Sequence, residues 1–255
     1  MAKFFSLLHI TMALAYRDIV SRYRRSLLGP LWAIMQPLLL MAVFTLLRTV
    51  VDIPSDGVPY IIFSYVGLVP WTFFTSAVNR AGSSILANST LIKKSPVARE
   101  IFPLAALMTA LFDFCMSGII LAGMLVYFHM PLGTALVWMP VLVLLTAVLA
   151  FGVGMLVAAL GCFRQDVIFA ASFGLQLWLY ASPVIYPLSA VPRQWQFAYR
   201  LNPMAGIIDG FRNVLIKNTP PDGVLLILSC AITIGFLALS WPIFRRCAHY
   251  FADVL

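Results

Sequence analysis

The chain alternates long apolar runs with short polar segments. Six runs approach or exceed the roughly 20 residues that a helix needs to cross a lipid bilayer. They cover approximately residues 31–51, 59–78, 102–128, 135–160, 168–185 and 224–244. The pattern predicts an all-α polytopic membrane protein with six transmembrane helices. An even number of crossings would return both ends of the chain to the same side of the membrane.

The composition argues against a soluble enzyme. Of the 255 residues, 62% are hydrophobic and 10% are charged, and the mean hydropathy is +0.96. These values are typical of a membrane protein and leave no segment for a separate soluble domain. We therefore expect residues 1–255 to form a single transmembrane domain. The spacing of the four cysteines indicates neither a disulfide framework nor a metal site.

The distribution of Lys and Arg predicts the orientation, because short loops rich in these residues stay in the cytoplasm. Twelve of the 17 basic residues fall on the side of the termini and five on the other side. Both termini are therefore expected in the cytoplasm. The net charge of +8 fits this topology and anionic membrane lipids, so nucleic acid is not an expected partner.

Residues 3–28, before the first run, show a helical alternation of polar and apolar positions. Apolar side chains such as Leu8 and Met12 share one face, and arginines end the segment. This pattern predicts an interfacial helix that lies along the membrane surface. The helix either anchors the topology or receives an anionic lipid-linked substrate, for which Arg22, Arg24 and Arg25 are the candidate phosphate ligands.

A polar segment, residues 79–101, separates the second run from the third. We expect it to return to water in the cytoplasm and to offer a surface on which another protein acts. A short helix within it would present Leu91, Ile92 and the pair Lys93 and Lys94. The alternative is a solvated basic loop that only fixes the topology.

The second run carries many aromatic side chains. Tyr65 and Trp71 lie well inside the run, beyond the interfacial positions that aromatic belts occupy. Aromatic rings can stack on the apolar faces of sugars, so these side chains are candidates for a channel lining. Ordinary helix packing by aromatic residues is the alternative.

Asp113 places a carboxylate inside the third apolar run. An ionisable group at this depth is costly unless it is paired or reaches water. We therefore expect Asp113 to face the interior of the bundle or another chain. A proton relay would need a second intramembrane acid, and the sequence offers none beside it.

Residues 168–222 combine the fifth run with a proline-rich segment. Pro183, Pro187 and Pro192 make a continuous helix unfavourable, although the residues between them are apolar. Non-helical backbone at membrane depth survives only where protein covers it or where it lines a wet cavity. We expect re-entrant outer gate helices, with the amphipathic residues 194–215 returning along the surface. An external cap without gating is the alternative.

Several motifs together resemble one known family. They are Arg-Tyr-Arg-Arg at 22–25, Leu-Gly-Pro-Leu-Trp-Ala at 28–33, Gln-Pro at 36–37, the stretch 84–113, Ser-Pro-Val-Ile-Tyr-Pro at 182–187 and Asn-Pro-Met at 202–204. In this order they resemble the membrane subunit of polysaccharide-exporting ABC transporters, of the O-antigen and teichoic-acid type. The resemblance covers nearly the whole chain.

This resemblance implies a homodimer with a pore at the subunit interface and two copies of a separate ATPase. The cargo would be a polysaccharide linked to polyprenyl pyrophosphate. None of the four lysines follows a glycine, so the chain lacks the GxxxxGK[ST] phosphate loop. ATP and Mg²⁺ would therefore bind to the partner, and the chain itself is expected to be neither an enzyme nor a holder of a cofactor or metal.

The expected roles fall into three further groups. The aromatic channel lining would consist of Trp32, Tyr60, Phe63, Tyr65, Trp71, Phe74, Trp178 and Tyr180. The ATPase coupling surface would consist of Leu91, Ile92, Lys93, Lys94, Arg99 and Glu100. The outer gate would include Pro183, Tyr186, Pro187, Arg200 and Asn202.

Three alternatives stay open at this point. The chain could serve a capsule or teichoic-acid exporter, an ion-coupled secondary transporter that uses Asp113, or an intramembrane transferase. The transferase would need clustered catalytic groups, but His9, His129 and His249 are far apart and no carboxylate pair accompanies them. Dependence on a co-expressed ATPase would separate the exporters from the other two classes.

Overall fold

The computed structural model describes residues 2–24, 26–94 and 97–255, with side chains from residue 7 onward. These residues form α-helices and two short 3₁₀ helices, Thr134–Trp138 and Leu188–Ala190, and include no strand. The α-helices are α1 (Ala2–Tyr23), α2 (Leu31–Val50), α3 (Tyr60–Ala87), α4 (Ser89–Lys94), α5 (Ile101–Tyr127), α6 (Met139–Gly161), α7 (Asp166–Tyr180), α8 (Arg193–Arg200), α9 (Pro203–Leu215), α10 (Gly223–Ala248) and α11 (Phe251–Val254). The all-α class is confirmed.

Five helical units of the described chain are long and apolar enough to cross a membrane: α2, α3, α5, α10 and the continuous unit Thr134–Gly161. The predicted fifth span corresponds to α7, which has only 15 residues. It ends at Tyr180 because Pro183 lacks an amide hydrogen and disfavours helical backbone before it. Six crossings therefore stay a prediction.

The helix α3 forms the centre of the bundle. Of the most apolar 18-residue stretch of α3, 83% is buried inside the protein, whereas only 11% of the same length of α2 is buried. Helices α5 and α6 pack along α3, and α2, α7 and α9 cover its remaining faces. The core of the chain is therefore organised around α3, and α2 lies at the periphery.

The helix that contains the second predicted span is longer than the apolar run. The helix α3 continues past residue 78 to Ala87, and Ala81, Gly82, Ser84 and Ile85 are buried within it. Small side chains let helices approach closely, and a Cβ built on Gly154 of α6 would lie only 2.6 Å from the Cβ of Ala81. A stretch that looks like a polar loop is thus a helix-packing face, and the connecting segment begins at residue 88.

Within the described chain, α1 and α11 meet at the end of the bundle where residues 88–94 and 97–100 lie, which we call the terminal end. Leu14 and Ala15 of α1 belong to the same buried cluster as Ile92 of α4 and Phe251 of α11. Arg17 of α1 also donates a hydrogen bond to the Asn88 side chain at 2.8 Å. The opposite, distal end is formed by residues 51–59 and 181–222.

The predicted surface segment 194–215 divides into two helices in different environments. The short helix α8 has no buried residue, whereas nearly every residue of α9 is buried, including Ile207, Ile208 and Phe211. The expectation that the whole segment returns along the surface is therefore wrong for α9. Its amphipathic pattern serves packing against α3, α6 and α10.

Candidate functional site

A cavity of about 350 Å³ lies where α1, α2, α3 and α5 meet, towards the terminal end. Its wall combines aromatic and polar groups, among them Arg22, Trp32, Gln36, Arg80 and Asp113. The volume falls at the lower end of the roughly 300–1,000 Å³ range of small-molecule sites. The cavity is therefore large enough for a polar group of a ligand.

Asp113 is the centre of a hydrogen-bonded ion-pair cluster on this wall. Tyr23 Oη donates to Asp113 Oδ1 at 2.5 Å, and Arg22 Nη1 donates to Asp113 Oδ2 at 3.3 Å. Arg80 Nη2 donates to the same Oδ2 atom, and Arg80 Nε donates to Ser76 Oγ at 2.9 Å. The expectation that Asp113 faces the bundle interior is confirmed, and its partners come from α1 and α3.

The cluster joins the N-terminal helix to the core. Burial and the hydrogen bond to Asp113 raise the pKa of the Tyr23 hydroxyl well above its ordinary value, so this group remains a donor. Two guanidinium groups and one carboxylate leave an excess of one positive charge. The cavity is therefore suited to an anion rather than to a cation.

The three predicted phosphate ligands are in different positions. Arg22 lines the cavity, Arg24 is exposed at the end of α1, and Arg25 lies outside the described residues. Arg80 lies in the segment for which the sequence predicts a cytoplasmic connection, and the sequence gives it no role. A carboxylate in an apolar helix requires a cationic partner, but Arg48 and Arg245 lie at least as close to predicted spans, so the sequence alone does not single out Arg80.

The structure places most of the predicted aromatic channel lining in the core of the single chain. Five of the eight side chains are fully or almost fully buried inside a single chain: Tyr60, Phe63, Tyr65, Trp71 and Phe74. They pack in the core around α3, so a channel between two copies of the chain would not reach them without repacking that core. The alternative of ordinary helix packing explains these five residues.

The other three aromatic candidates are more accessible. Trp32 of α2 and Tyr180 of α7 are exposed, with relative accessibilities of 54% and 60%. Trp178 is partly buried: its Nε1 donates to Asn202 Oδ1 at 3.1 Å, and its ring meets Phe74 edge-on at 5.3 Å between centroids. A channel role for Trp32 and Tyr180 stays a prediction, and Trp178 braces α7 against the core.

The predicted coupling surface is partly exposed. Lys93 and Lys94 are exposed on α4, whereas Ile92 is 2% exposed and anchors α4 in the terminal-end cluster. Leu91 and Arg99 are partly buried, and Arg99 donates to the Val97 carbonyl. Glu100 Oε1 forms an ion pair with Arg245 Nε at 3.4 Å. The two lysines are thus the most accessible members of this surface, and Ile92 is a structural residue.

The predicted outer gate residues lie in or near a proline-rich loop, residues 181–187, at the distal end. Pro183 and Pro187 are buried, and Tyr186 Oη lies 2.5 Å from Tyr199 Oη. Asn202 caps α9 by accepting from Met204 N, and its amide donates to Ser182 Oγ at 2.8 Å. Arg200 is exposed on α8.

The residue that fixes this loop is Arg212, to which the sequence assigned no role. It is 4% exposed on α9 and donates to the carbonyls of Pro183 at 2.6 Å, Val184 at 2.5 Å and Tyr186 at 3.1 Å. Buried carbonyls in a non-helical loop need such donors, because the loop cannot supply its own. The sequence carries no clear signal for this arrangement, because an arginine is unremarkable in a segment that is predicted to lie on the surface.

The fold and this site define a polytopic membrane protein whose ion-pair cluster lies among its membrane-length helices. The chain belongs to the family of ABC-2 type transporter membrane proteins, which it matches over residues 10–216. The resemblance inferred from the motifs is confirmed at this level.

Full-length relatives have names that refer to polysaccharide export. The chain is 28% identical over 256 residues to an O-antigen export system permease protein, RfbA, of Klebsiella pneumoniae, covering 98% of this chain and 96% of the relative. It is 29% identical over 250 residues to the RfbA permease of Myxococcus xanthus, covering 96% and 94%. It is 26% identical over 248 residues to the polysialic acid transport protein KpsM of Escherichia coli, covering 91% of each.

Proposed function

We propose that the chain is the permease subunit of an ATP-driven exporter that moves polyprenyl-pyrophosphate-linked polysaccharide, of the O-antigen type, from the cytoplasm to the periplasm. The observation that carries the proposal is the basic cavity beside Arg22 and Arg80. It lies towards the terminal end, which the proposed orientation would place on the cytoplasmic side. The names of the full-length relatives support a polysaccharide cargo, with a capsule polysaccharide as the alternative.

The proposed topology has six crossings, with both termini in the cytoplasm of a bacterial inner membrane. The 15 residues of α7 span about 22 Å at 1.5 Å per residue, which is less than a hydrocarbon core of about 30 Å. The buried loop 181–187 would complete this crossing, because Arg212 and Asn202 satisfy its backbone and side-chain polar groups. The excess of basic residues near the terminal end supports the orientation.

The proposed assembly is a homodimer bound to two copies of a separate ATPase, which would hold the ATP and Mg²⁺. The faces of α2 and α7 that carry Trp32, Phe169, Phe173 and Tyr180 are exposed in the single chain. Lipid and a second copy of the chain would cover these faces. Trp32 and Tyr180 of both copies would then line the path of the sugar chain. The exposed Lys93 and Lys94 would meet the ATPase.

Co-purification from native membranes tests the proposal. We expect a soluble ATPase to accompany the detergent-extracted chain at about one to one, and K93E/K94E to lose it because both charges are reversed on an exposed surface. The matched control is R193E/R200E, which reverses two exposed charges on α8 at the distal end and should retain the ATPase. If no ATPase accompanies the wild-type chain, the exporter proposal is wrong and a secondary transporter becomes the better hypothesis.

A further inference from the structure

One face of the helix α10 is left open to the membrane along most of its length. Only 22% of the most apolar stretch of this helix is buried, and its main contacts are with α6 and α9. The open face consists of Ile227, Ala231, Ile234, Ala238 and Trp241, which are exposed and recur every three or four residues. The proposed dimer contacts lie elsewhere, on α2 and α7. This face of α10 is therefore available to lipid.

The open face ends in a basic groove at the terminal end. Arg245 and His249 continue the same face of α10 and, with the residues just before α5, line an open groove of about 340 Å³. Arg99 and Arg245 bring two positive charges to the described wall, and Glu100 brings one negative charge. With His249 counted as neutral, one positive charge remains. The groove is therefore suited to a singly charged anion.

Arg245 can bind such an anion without a large loss of stability. Its Nε atom lies 3.4 Å from Glu100 Oε1, and its side chain is 65% exposed. An exposed ion pair of this length contributes little stability. The pair uses one nitrogen of the guanidinium group, and the other two can donate parallel hydrogen bonds to a phosphate.

The spacing along α10 matches the depth of one lipid leaflet. Arg245 follows Ile234 by 11 positions, which is about 16 Å at 1.5 Å per residue. Half of a hydrocarbon core of about 30 Å is about 15 Å. Ala238 leaves space between the larger Ile234 and Trp241 side chains, where an acyl chain can lie. A lipid in this position would have its phosphate at the level of Arg245.

We propose that the groove and the open face of α10 bind one anionic phospholipid, whose phosphate is held by Arg245 and whose acyl chain lies along Ile234, Ala238 and Trp241. Basic pockets between helices at the membrane boundary bind anionic headgroups in this way. Arg99 adds positive charge, and Glu100 disfavours a second negative charge. The site is separate from the cavity around Asp113, and it does not rest on the proposed function.

Lipid titration of the full-length chain tests the proposal. The chain is delipidated in detergent, and native mass spectrometry counts the bound molecules of phosphatidylglycerol or of phosphatidylethanolamine with the same acyl chains. We expect one phosphatidylglycerol per chain, bound about tenfold more tightly than phosphatidylethanolamine, because the zwitterionic headgroup has no net charge. Soluble glycerol phosphate should not displace the lipid, since it lacks acyl chains. Complete displacement would contradict a role for the face of α10.

The variants separate the groove from general charge attraction. R245Q should bind phosphatidylglycerol about tenfold more weakly, the usual effect of losing one charge-assisted hydrogen bond. E100Q should bind it more tightly, because the competing carboxylate is removed. A238W should bind it more weakly, because the indole fills the space for the acyl chain. R246Q is the matched control: Arg246 is exposed on the same helix but does not line the groove, so binding should be unchanged.

Equal binding of phosphatidylglycerol by wild type, R245Q and E100Q overturns the inference, and so does equal binding of the two lipids by wild type. Equal weakening by R245Q and R246Q would also overturn it, because charge alone would then hold the lipid. Should R245Q not fold, E100Q still decides, since its effect has the opposite sign. The binding is measured on the chain without an ATPase, so its outcome is independent of the exporter proposal.

Discussion

The guanidinium carbon of Arg212 lies 3.8 Å from the centre of the Phe63 ring, so a buried cation rests on a buried aromatic face. Its hydrogen bonds to the loop 181–187 come from the same group. One side chain of α9 therefore ties α3 to the distal loop by a cation–π contact and by three backbone hydrogen bonds. The stability of the distal end depends on this arrangement.

We expect R212M to lower the free energy of unfolding by about 3 kcal/mol or more, because each buried carbonyl left without a donor costs about 1–3 kcal/mol. The measurement is thermal unfolding in detergent, followed by intrinsic tryptophan fluorescence. R200M is the control, since Arg200 is exposed on α8 and its replacement should leave the transition unchanged. Equal transitions for R212M and wild type would contradict this account of the loop.

The close approach of α3 to the same loop explains Gly67. A Cβ at this position would lie 2.7 Å from the Val184 carbonyl oxygen and 3.0 Å from Arg212 Nη2. We expect G67A to destabilise the protein by about 1–3 kcal/mol, the usual cost of overpacking. G123A on α5 meets nothing within 4 Å and should be neutral or more stable by up to about 1 kcal/mol, because alanine favours helix. A neutral G67A would mean that the loop can move away.

The Arg80–Asp113 ion pair should show strong coupling. R80M leaves a largely buried carboxylate with only Tyr23 and the half-exposed Arg22 as partners, so we expect a loss of about 3–5 kcal/mol in the free energy of unfolding. The double variant R80M/D113L removes both charges and should recover a large part of this loss. Unfolding measurements on R80M, D113L and the double variant give the coupling energy between the two side chains. Additive effects would indicate that the two side chains act independently.

The C-terminal helix α11 is predicted to stabilise the coupling segment. Phe251 is fully buried against Phe244, with ring centroids 5.5 Å apart, and shares a cluster with Ile92 of α4. F251A should therefore cost about 3–5 kcal/mol and weaken ATPase retention in the co-purification assay. Its neighbour Tyr250 is 61% exposed, so Y250A should match wild type in both assays. Wild-type behaviour of F251A would remove α11 from this role.

The lengths of the apolar runs predicted most of the helices, because a helix that crosses the bilayer needs roughly 20 apolar residues. It could not predict where α3 ends, since Ala81, Gly82 and Ser84 have the composition of a loop and the packing of a helix interface. The length of an apolar run also does not show whether an aromatic side chain points into the core or into a channel. A ring that stacks on sugar and a ring that fills a core look identical in sequence, and for Tyr65 and Phe74 the core accounts for the ring.

The polar site was harder to predict than the helices because its parts are distant in the chain. Arg22 and Asp113 are separated by 91 positions, and Arg80 and Asp113 by 33. The cost of an isolated intramembrane carboxylate predicted that Asp113 must have a partner, but only the three-dimensional packing of α1 and α3 against α5 identifies which arginines supply it.

The length of α3 has a mechanical consequence. Its 28 residues, Tyr60–Ala87, extend for about 42 Å at 1.5 Å per residue, and Phe63, which contacts Arg212, lies within the first turn at the distal end. A tilt of about 5° around one end of such a rod displaces the other end by about 4 Å. We expect α3 to act as a lever arm: a push on residues 88–94 would reach the proline-rich loop through this one helix, in which Pro70 removes one backbone hydrogen bond and marks the position where the helix would bend.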